Sequence, residues 1–438
     1  MQHPKMLTAL GAMLCIVAVA QAAASMPDPS RTTPPAQAPG TLRIAAYNVS
    51  LYRREAGALA QELTTGRSTQ AATIAAVLQD VRPDLLLINE FDYDGAVDDD
   101  HAARPPAPAA LAFLRGYLAV SQGGREPLAC PTLFSAPSNT GLPSGVDLDR
   151  DGRIGGGNDA RGFGLFPGQY AMLVCSRLTL RRDQVRSFRN FLWRDMPDAD
   201  LPPDWYSPDA LAALPLSSKS HWDLPFELPL APGAAPDESP RVLHLLASHP
   251  TPPGFDGPED RNGRRNHDEI RLWADYLTPD RAPYLVDDAG RRGGLAVEAS
   301  FVIAGDLNAD PVDGGSRNGA IRQLLDHPRV DREAAVGRWV PRSAGAAEAA
   351  RRQSGANDRQ RGPANEDTAD FSDSGMNSPG NMRVDYVLPS ADLAVCASGV
   401  YWPTQDDPAF ARVNDDAATS SDHRLVWVDI ALPGARCP

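Results

Sequence analysis

The sequence predicts a single mixed α/β domain. Several short apolar runs, such as DLLLIN and FVIAGD, have the length of buried strands, and continuous apolar strands indicate a sheet that is covered on both faces. Other segments place apolar residues at helical spacing, and the strands are joined both by helices and by hairpins. Because no internal repeat is present, we expect one domain of packed helix and sheet layers with long loops at one set of strand ends.

The first part of the folded chain reads as strand, helix and strand. TLRIAAYNVS is the first strand, and DLLLIN, after Pro83, is the next. Between them Ser68 is the expected helix cap. Four apolar residues of that helix share one side: Ile74, Val77, Leu78 and Val81.

The remaining elements follow in the same manner. QYAMLVCSRLTL, RVLHLLAS and FVIAGD are predicted strands, and MRVDYVLP, AVCASGVYW and HRLVWVDIAL complete the sheet structure. The helix before FVIAGD is expected to bury one face. Its members are Ile270, Trp273, Ala274 and Leu277. Irregular, polar segments at about 92–168, 190–238 and 340–380 are predicted as insertions.

Composition limits what the domain binds. The 438 residues include 56 Asp and Glu against 42 Lys and Arg, a formal net charge of −14. No overall positive field therefore draws the chain to nucleic acid or anionic lipid. Catalysis on a phosphate stays open, because bound divalent cations reverse the sign of the charge locally.

The N-terminus predicts an exported protein. Residues 1–24 carry Lys5 and then the stretch LTALGAMLCIVAVA, which is too short to span a bilayer. Small residues follow, so signal-peptide cleavage is expected after Ala22 or Ala24, and retention as a membrane anchor is the alternative. Residues 25–40 form a Pro-rich linker. We expect a secreted or periplasmic protein over 41–438, with no stable membrane span and no obligate protein partner.

Four cysteines remain beyond the signal peptide. They are Cys130, Cys175, Cys396 and Cys437. In an exported protein an even number predicts disulfides, and four cysteines allow three connectivities. Cys175 lies in the apolar run YAMLVCS, where a packed free thiol is the alternative to a bridge.

Polar groups stand at the ends of the predicted strands. They are Asn48, Glu90, His249, Asp306, Asn308, Asp385, Asp422 and His423. Ligand sites lie preferentially at strand ends, where a rigid scaffold holds loop residues in place. Each group alone is more often part of a turn or a solvated surface, but their coincidence at so many strand ends favours one shared site.

These motifs resemble those of the endonuclease/exonuclease/phosphatase superfamily, the relatives of deoxyribonuclease I. In order along the chain they are YNV, INE, ASHP, GDLNADP, RVDYVLP and SDH. The resemblance covers residues from about 42 to 432. It implies a four-layer α/β sandwich, in which two central mixed β-sheets are flanked by helices, with long loop insertions and the site at one end. It also implies phosphoester hydrolysis with Mg²⁺ or Mn²⁺.

The resemblance further implies which residues hold the metal. Glu90 would be the principal ligand, with Asn48 beside it. Asp422 would complete the metal side or pair with His249. Mg²⁺ prefers a few carboxylates and keeps several waters, so one or two acidic ligands suffice.

It implies roles on the phosphate side as well. Asp306 would orient or deprotonate the attacking water, and Asn308 would hold the phosphate. If the backbone is extended there, these two side chains point the same way. His249 and His423 would flank the phosphate as proton donor and electrostatic stabiliser, and Asp385 would orient a histidine.

Tyr170, in the sequence GQY, matches the place of a phosphate-facing tyrosine in some relatives. Phosphate contact is therefore one interpretation of this residue. A packed strand aromatic is the other.

The stretch DLDRDGRIGGGN contains a second candidate metal site, for Ca²⁺. Asp147, Asp149 and Asp151 reproduce positions 1, 3 and 5 of a calcium-binding loop. Asn158 stands where the bidentate glutamate is usual, and Asp159 offers a replacement carboxylate. Because the flanks are not helical, we expect a lone calcium loop, and a turn rich in Asp and Gly is the alternative.

The sequence thus favours a secreted, divalent-metal-dependent phosphoesterase that hydrolyses phosphodiesters, with an extracellular nuclease as one form. Phosphomonoesters and phospholipid or inositol-phosphate head groups remain open as substrates. An inactive, calcium-stabilised surface-binding protein is the alternative of another class. It predicts missing catalytic groups, and none of the strand-end groups is missing.

Overall fold

The computed structural model describes residue 1 and residues 34–95, 106–231, 233, 235, 239–375, 378–413 and 419–437. The predicted signal peptide beyond Met1, its cleavage site and the first part of the Pro-rich linker, 25–33, lie outside the described residues.

Fourteen strands occur among the described residues. They are β1 (Thr41–Leu51), β2 (Leu85–Phe91), β3 (Thr132–Phe134), β4 (Met172–Ser176), β5 (Thr179–Leu180), β6 (Arg186–Ser187), β7 (His221–Glu227), β8 (Val242–Ser248), β9 (Ser300–Asp306), β10 (Ala369–Asp370), β11 (Asn381–Met382), β12 (Asp385–Pro389), β13 (Val395–Val400) and β14 (Val426–Ala431).

The same residues form eight α-helices. They are α1 (Ala58–Thr64), α2 (Thr69–Val81), α3 (Pro108–Phe113), α4 (Pro208–Ala213), α5 (Arg261–Tyr276), α6 (Arg322–Leu325), α7 (Arg332–Val336) and α8 (Ala344–Arg352). In the described part of the chain, none of the helices combines the length and the apolar character that crossing a bilayer requires.

Two large mixed sheets carry the fold. The first has the strand order β13-β14-β1-β2-β4-β3, with β1 and β2 parallel and the other pairs antiparallel. The second has the order β12-β9-β8-β7-β5, with β6 also paired to β7, and here β8 and β9 are the parallel pair. Both sheets are therefore mixed, as the resemblance implied.

Alternate residues of β9 show how the layers stack. Val302 and Ala304 pack in one apolar cluster with the strands of the first sheet. Phe301 and Ile303 pack in a second cluster with α5. Because successive side chains of a strand point to opposite faces, the second sheet lies between the first sheet and α5. The predicted α/β sandwich of two central sheets flanked by helices is confirmed.

The two predicted helices are also confirmed. Ser68 caps α2, since its Oγ accepts a hydrogen bond from the Ala71 backbone N–H at 3.3 Å. The apolar residues that the spacing assigns to the buried faces of the two helices are all buried: Ile74, Val77, Leu78, Val81, Ile270, Trp273, Ala274 and Leu277.

The segments at about 92–168, 190–238 and 340–380 are not irregular throughout, because each contains a strand, which is β10 in the third. That they are insertions stays a prediction. β7 lies within 190–238, yet it is an internal strand paired with β8 on one side and with β5 and β6 on the other. Pro225 lies in the middle of β7 and pairs with His244, and a central proline is a sequence signal against an internal strand. Likewise, β3 lies within 92–168 and forms an edge of the first sheet.

Two disulfides connect the four cysteines beyond the N-terminal segment. Cys130 pairs with Cys175, with their Cα atoms 5.4 Å apart. Cys396 pairs with Cys437, at a Cα separation of 5.0 Å. Cys175 is therefore bridged, and the alternative of a packed free thiol is wrong.

Candidate active site

Strand ends from both sheets bring three buried side chains together around a fourth, that of Asp306. Its Oδ2 atom lies 3.0 Å from Asn48 Nδ2, 3.4 Å from His249 Nε2 and 3.7 Å from His423 Nε2. All four residues are buried. Removing a carboxylate from water is costly unless hydrogen bonds and opposite charges replace the water. The three polar partners of Asp306 provide that replacement.

Gly305 allows β9 to reach this point. Its φ is 143°, and a Cβ here would collide with the Ser248 carbonyl of β8. The next residue then donates its backbone N–H to Asn89 Oδ1 on β2 at 3.1 Å. The glycine in the GDLN motif therefore permits the close approach of the two sheets at the site.

Asn308 corrects one premise of the sequence interpretation. β9 ends at Asp306, and Asn308 has a left-handed φ of 52°, so the backbone between them is not extended. The Asn308 backbone N–H donates to Asp306 Oδ1 at 2.9 Å, and its side-chain amide donates to the Pro250 carbonyl at 3.1 Å. Asparagine tolerates this backbone region better than most residues. A turn, rather than a continued strand, therefore holds Asn308 beside Asp306.

Asp385 orients His423. Its Oδ2 lies 2.9 Å from His423 Nδ1 and also accepts a hydrogen bond from Thr368 Oγ1 at 2.8 Å. Although burial disfavours the charged ring, the carboxylates of Asp385 and Asp306 raise the pKa of His423 well above its ordinary value. His423 therefore carries a proton at neutral pH.

His249 has the opposite protonation state. Burial, together with the nearby Lys219 ammonium, lowers its pKa to about 4 against the attraction of Asp306. Its Nδ1 has no hydrogen-bond partner among the described residues. Despite burial, the two histidines hold the pKa of Asp306 well below its usual range. One carboxylate thus faces a neutral imidazole and an imidazolium.

Glu90 lies near this cluster in an unusual backbone conformation. Its φ is 56°, and non-glycine residues with such angles concentrate at functional sites. Burial raises the pKa of its carboxyl to about 7, and repulsion from Asp422 and Asp306 adds to this while His423 opposes it. Asp422 accepts a hydrogen bond from Ser50 Oγ at 3.0 Å. Of the two roles predicted for Asp422, the structure favours the one beside Glu90, because His249 pairs with Asp306 instead.

The donor set fits a hard divalent cation. Glu90 and Asp422 offer carboxylate oxygens and Asn48 an amide oxygen, which are ligands that Mg²⁺ and Mn²⁺ prefer. The repulsion that raises the pKa of Glu90 is what a bound cation would relieve. Deeper in the site, a second group of ligand atoms lies within 4.8 Å of one another: Asp306, Asp385 and His423. Which of these sets binds the metal stays a prediction.

A cavity of about 370 Å³ opens beside Glu90 and His249. Tyr170 lines it, with its ring 4.6 Å from that of Tyr52. Burial and Tyr52 raise the pKa of Tyr170 to about 12, so it presents a neutral hydroxyl. It precedes β4 rather than lying within it, and its contact with phosphate stays a prediction.

Lys219 also lines the cavity, and the sequence interpretation missed it. It is 7% exposed, and its Nζ donates to the Pro250 carbonyl at 3.4 Å. Burial lowers the pKa of its ammonium, while Glu269, Glu90 and Asp306 act in the opposite direction. The sequence does contain one signal, because Lys5 and Lys219 are the two lysines of a chain with 42 Lys and Arg.

The three aspartates of the predicted calcium loop do come together. Asp147, Asp149 and Asp151 place carboxylate oxygens within 4.8 Å of one another. Asp159 accepts hydrogen bonds from the backbone of residues 148 and 155, at 2.6 and 2.8 Å, so it is already engaged in shaping the loop. Asn158 lines the cavity beside the active site. Calcium binding at this loop stays a prediction.

Comparisons with known proteins identify the family of this chain. Residues 45–423 match the profile of the "Endonuclease/Exonuclease/phosphatase family". No curated protein matches the chain significantly. Among solved structures, a family protein from Beutenbergia cavernae DSM 12333 is 17% identical, over 90% of this chain and 72% of that one, with a TM-score of 0.43.

Two further solved structures are similar at a comparable level. One, from Leptotrichia buccalis C-1013-b, is 12% identical over 89% of this chain and 99% of that one, with a TM-score of 0.42. The other, from Bacteroides thetaiotaomicron, is 12% identical over 90% and 96%, with a TM-score of 0.39. Because the family profile spans most of its length, this chain belongs to the endonuclease/exonuclease/phosphatase family.

Proposed function

We propose that this family member is an exported phosphodiesterase that uses Mg²⁺ or Mn²⁺. Family membership gives the reaction class, which is metal-dependent hydrolysis of phosphoesters. The observation that carries the finer proposal is the cluster at Asp306, where a neutral and a charged histidine flank one carboxylate. Hydrolysis of a phosphodiester needs an acceptor that orients water and a positive group beside the phosphoryl oxygens.

Asp306 is suited to orient the attacking water. Its pKa lies well below the usual range, so it stays ionised at neutral pH, where it accepts hydrogen bonds but is a weak base. A divalent cation held by Glu90, Asn48 and Asp422 would neutralise phosphoryl charge and lower the pKa of water. Of the two roles that the resemblance implied for Asp306, orientation of the water is the one that its low pKa favours.

The two histidines divide the remaining work. His423 is protonated, and Asp385 fixes its ring, so it balances negative charge on the phosphoryl group. His249 is neutral and lines the cavity. We assign proton exchange with a reacting oxygen to its Nδ1, which has no hydrogen-bond partner among the described residues. Asn308, held by Asp306 and the Pro250 carbonyl, is placed to contact a phosphoryl oxygen.

The charge balance favours a diester over a monoester. A phosphodiester carries one negative charge, whereas a phosphomonoester near neutral pH carries close to two. At the described strand ends the carboxyl groups outnumber the cationic groups of Lys219 and His423. The carboxyl groups are those of Glu90, Asp306, Asp385 and Asp422. With a divalent cation bound as well, the four carboxylates still offset all of the positive charge of Lys219, His423 and the cation. No excess positive charge then remains for a second negative charge on the substrate, so the singly charged substrate is the better fit.

Export is part of the proposal. The apolar N-terminal segment supports it, and so do the two disulfides, because such bonds persist in oxidising compartments. The catalytically inactive alternative is disfavoured, since every strand-end group that the family motifs require is present in the sequence.

Turnover of bis(p-nitrophenyl) phosphate tests the proposal. The mature protein should release p-nitrophenolate with Mg²⁺ or Mn²⁺, lose this activity in EDTA, and hydrolyse p-nitrophenyl phosphate more slowly. His249→Ala should lower kcat by about 100-fold or more, in keeping with the usual contribution of a proton-transfer group. Absence of turnover with every divalent ion would sink the proposal, and faster hydrolysis of the monoester would reverse its substrate preference.

A further inference from the structure

Loops from two segments that lie between the family motifs line part of the cavity beside Glu90 and His249. Leu148, Ala160 and Phe163 come from the segment before β4, and Tyr206 and Leu214 come from the segment before β7. All of them line the cavity that also reaches Glu90 and His249. Glu90 and His249 therefore border a cavity with walls from several segments, rather than a flat surface.

The two ends of this cavity differ in chemistry. Glu90, His249 and Lys219 line the catalytic end. The rest of the lining combines apolar and aromatic side chains, such as Tyr206, Leu214 and Pro252, with polar ones. Two of the polar residues are Arg261 and Arg265, whose guanidinium groups donate hydrogen bonds to backbone carbonyls. A volume of about 370 Å³ falls within the range of roughly 300–1,000 Å³ that is usual for small-molecule sites. A phosphoryl group at the first end would thus place one ester arm against apolar side chains.

Two phenylalanines of the lining are exposed to solvent. Phe163 is 57% exposed and Phe255 is 93% exposed, and both border this same cavity. Exposed aromatic rings that gather at a concave site beside catalytic groups are a feature of ligand-binding clefts. An apolar arm of a substrate would cover both rings and remove them from water.

We infer that the substrate is a small phosphodiester with one compact aromatic or apolar arm, and not a polynucleotide. This inference rests on the proposed phosphodiesterase function and adds the substrate class. The phosphoryl group lies at the Glu90 and His249 end, and the arm packs against Tyr206, Phe163 and Phe255. A nucleic acid would have to bring a continuous charged backbone against a lining that includes Tyr206, Phe163 and Phe255, in a protein with a net charge of −14.

Binding of two phosphonates tests the arm directly. Phenylphosphonate and methylphosphonate carry the same charged group and differ in the arm, so calorimetry in the presence of Mg²⁺ isolates its contribution. The full mature protein should bind phenylphosphonate on the order of tenfold more tightly, which is the lower end of the discrimination that apolar pockets achieve. Equal affinities would overturn the inference.

Phe163→Ala should remove most of this preference. Leu165→Ala is the matched control, because Leu165 is 59% exposed in the same segment but is not part of the cavity lining. It should keep the wild-type preference. Loss of the preference in Leu165→Ala to the same extent as in Phe163→Ala would contradict the assigned position of the arm.

A turnover comparison separates this inference from the proposed function. Bis(p-nitrophenyl) phosphate should be hydrolysed with a higher kcat/KM than supercoiled plasmid DNA or phosphatidylcholine vesicles. If DNA or vesicles are the better substrates, the small-substrate inference fails while the phosphodiesterase function stands. If nothing is hydrolysed, the proposed function fails, and the phosphonate affinities still decide whether the cavity prefers an aromatic arm.

Discussion

Asp385 and His423 form a buried carboxylate–imidazole pair, with Oδ2 and Nδ1 2.9 Å apart. The pair joins the start of β12 to the segment before β14. Thr368 supports it from a third segment by donating its hydroxyl to the same carboxylate oxygen. The orientation and the charge of His423 therefore depend on residues that do not themselves face the cavity.

Asp385→Asn should lower kcat by roughly 100-fold, since a misoriented acid–base group loses most of its contribution. The carboxylate raises the pKa of His423, so its removal lowers that pKa. The alkaline limb of the pH–kcat profile should then move to lower pH. An unchanged profile would show that His423 is not the group whose charge matters.

Asp223 provides the matched control for that variant. It forms another Asp–His pair, with its Oδ1 2.6 Å from His244 Nδ1, on β7 and β8 in the second sheet. Asp223→Asn should leave the pH–kcat profile in place, whatever it does to stability. A shift in both variants would indicate a general effect on the fold.

Lys219→Met should lower kcat/KM by about 100-fold, which is the usual cost of removing one preorganised donor to a developing charge. Methionine keeps the length of the buried chain and removes its charge. Lys219→Arg keeps the charge and should retain more activity than the methionine variant. Wild-type kinetics in Lys219→Met would mean that the ammonium has only a structural role, as the hydrogen-bond donor to the Pro250 carbonyl.

His221 should make stability fall in mild acid. It is buried between Ser217 Oγ and the Glu269 carbonyl, at 2.6 and 2.8 Å, and burial lowers its pKa to about 4. Because the unfolded chain binds a proton below about pH 6.5, this contribution is complete above that pH. It is lost as the pH falls towards 4, at up to about 1.4 kcal/mol per pH unit.

Urea unfolding at pH 7, 6, 5 and 4 measures this loss. In His221→Gln the side chain at position 221 no longer titrates. The free energy of unfolding of this variant should therefore depend less on pH than that of the wild type. Equal slopes in the two proteins would assign the acid sensitivity to other groups.

Metal removal should lower the melting temperature, because the cation that Glu90 is predicted to bind stabilises the folded state. Saturation with Mn²⁺ at 100 times its dissociation constant adds about 2.7 kcal/mol to the free energy of unfolding. Glu90→Gln should lose most of this gain. The matched control is Glu227→Gln. Glu227 is the last residue of β7 and pairs with Arg181 at 3.0 Å, so this variant should keep the gain. An undiminished Mn²⁺ effect in Glu90→Gln would move the metal to other ligands.

The calcium loop is best tested in the Glu90→Gln background, where the active site competes least for the ion. Calorimetry should find one weak site, of about 10⁻⁴–10⁻³ M as in extracellular modules. Asp149→Asn should weaken it, and Asp280→Asn, an exposed position outside the loop, should not. If no heat of binding is found, the loop is a turn rich in Asp and Gly.

The framework of the site was predictable because it depends on local pattern. Strands such as β2 and β9 are continuous apolar runs, and their polar ends follow directly from the sequence. Asn48, His249 and Asp306 could therefore be assigned to one end of a sandwich from the strand pattern and the family motifs. Their mutual contacts then follow from the stacking of the two sheets.

The contacts that support the site were not predictable, because they depend on packing between distant irregular segments. Lys219 has no periodic neighbours that would reveal its burial, and Thr368 lies in a polar stretch without a clear element. The turn at Asn308 depends on the Pro250 carbonyl, which no local rule provides. These residues are fixed by long-range contacts rather than by propensity.

Asn48 and His423 lie 3.3 Å apart and are separated by 375 positions in the chain. They meet because β1, the first strand, pairs with β14, the last. A ribosome must therefore reach residue 423 before the reaction centre can assemble, and fragments that stop short of His423 carry no complete site.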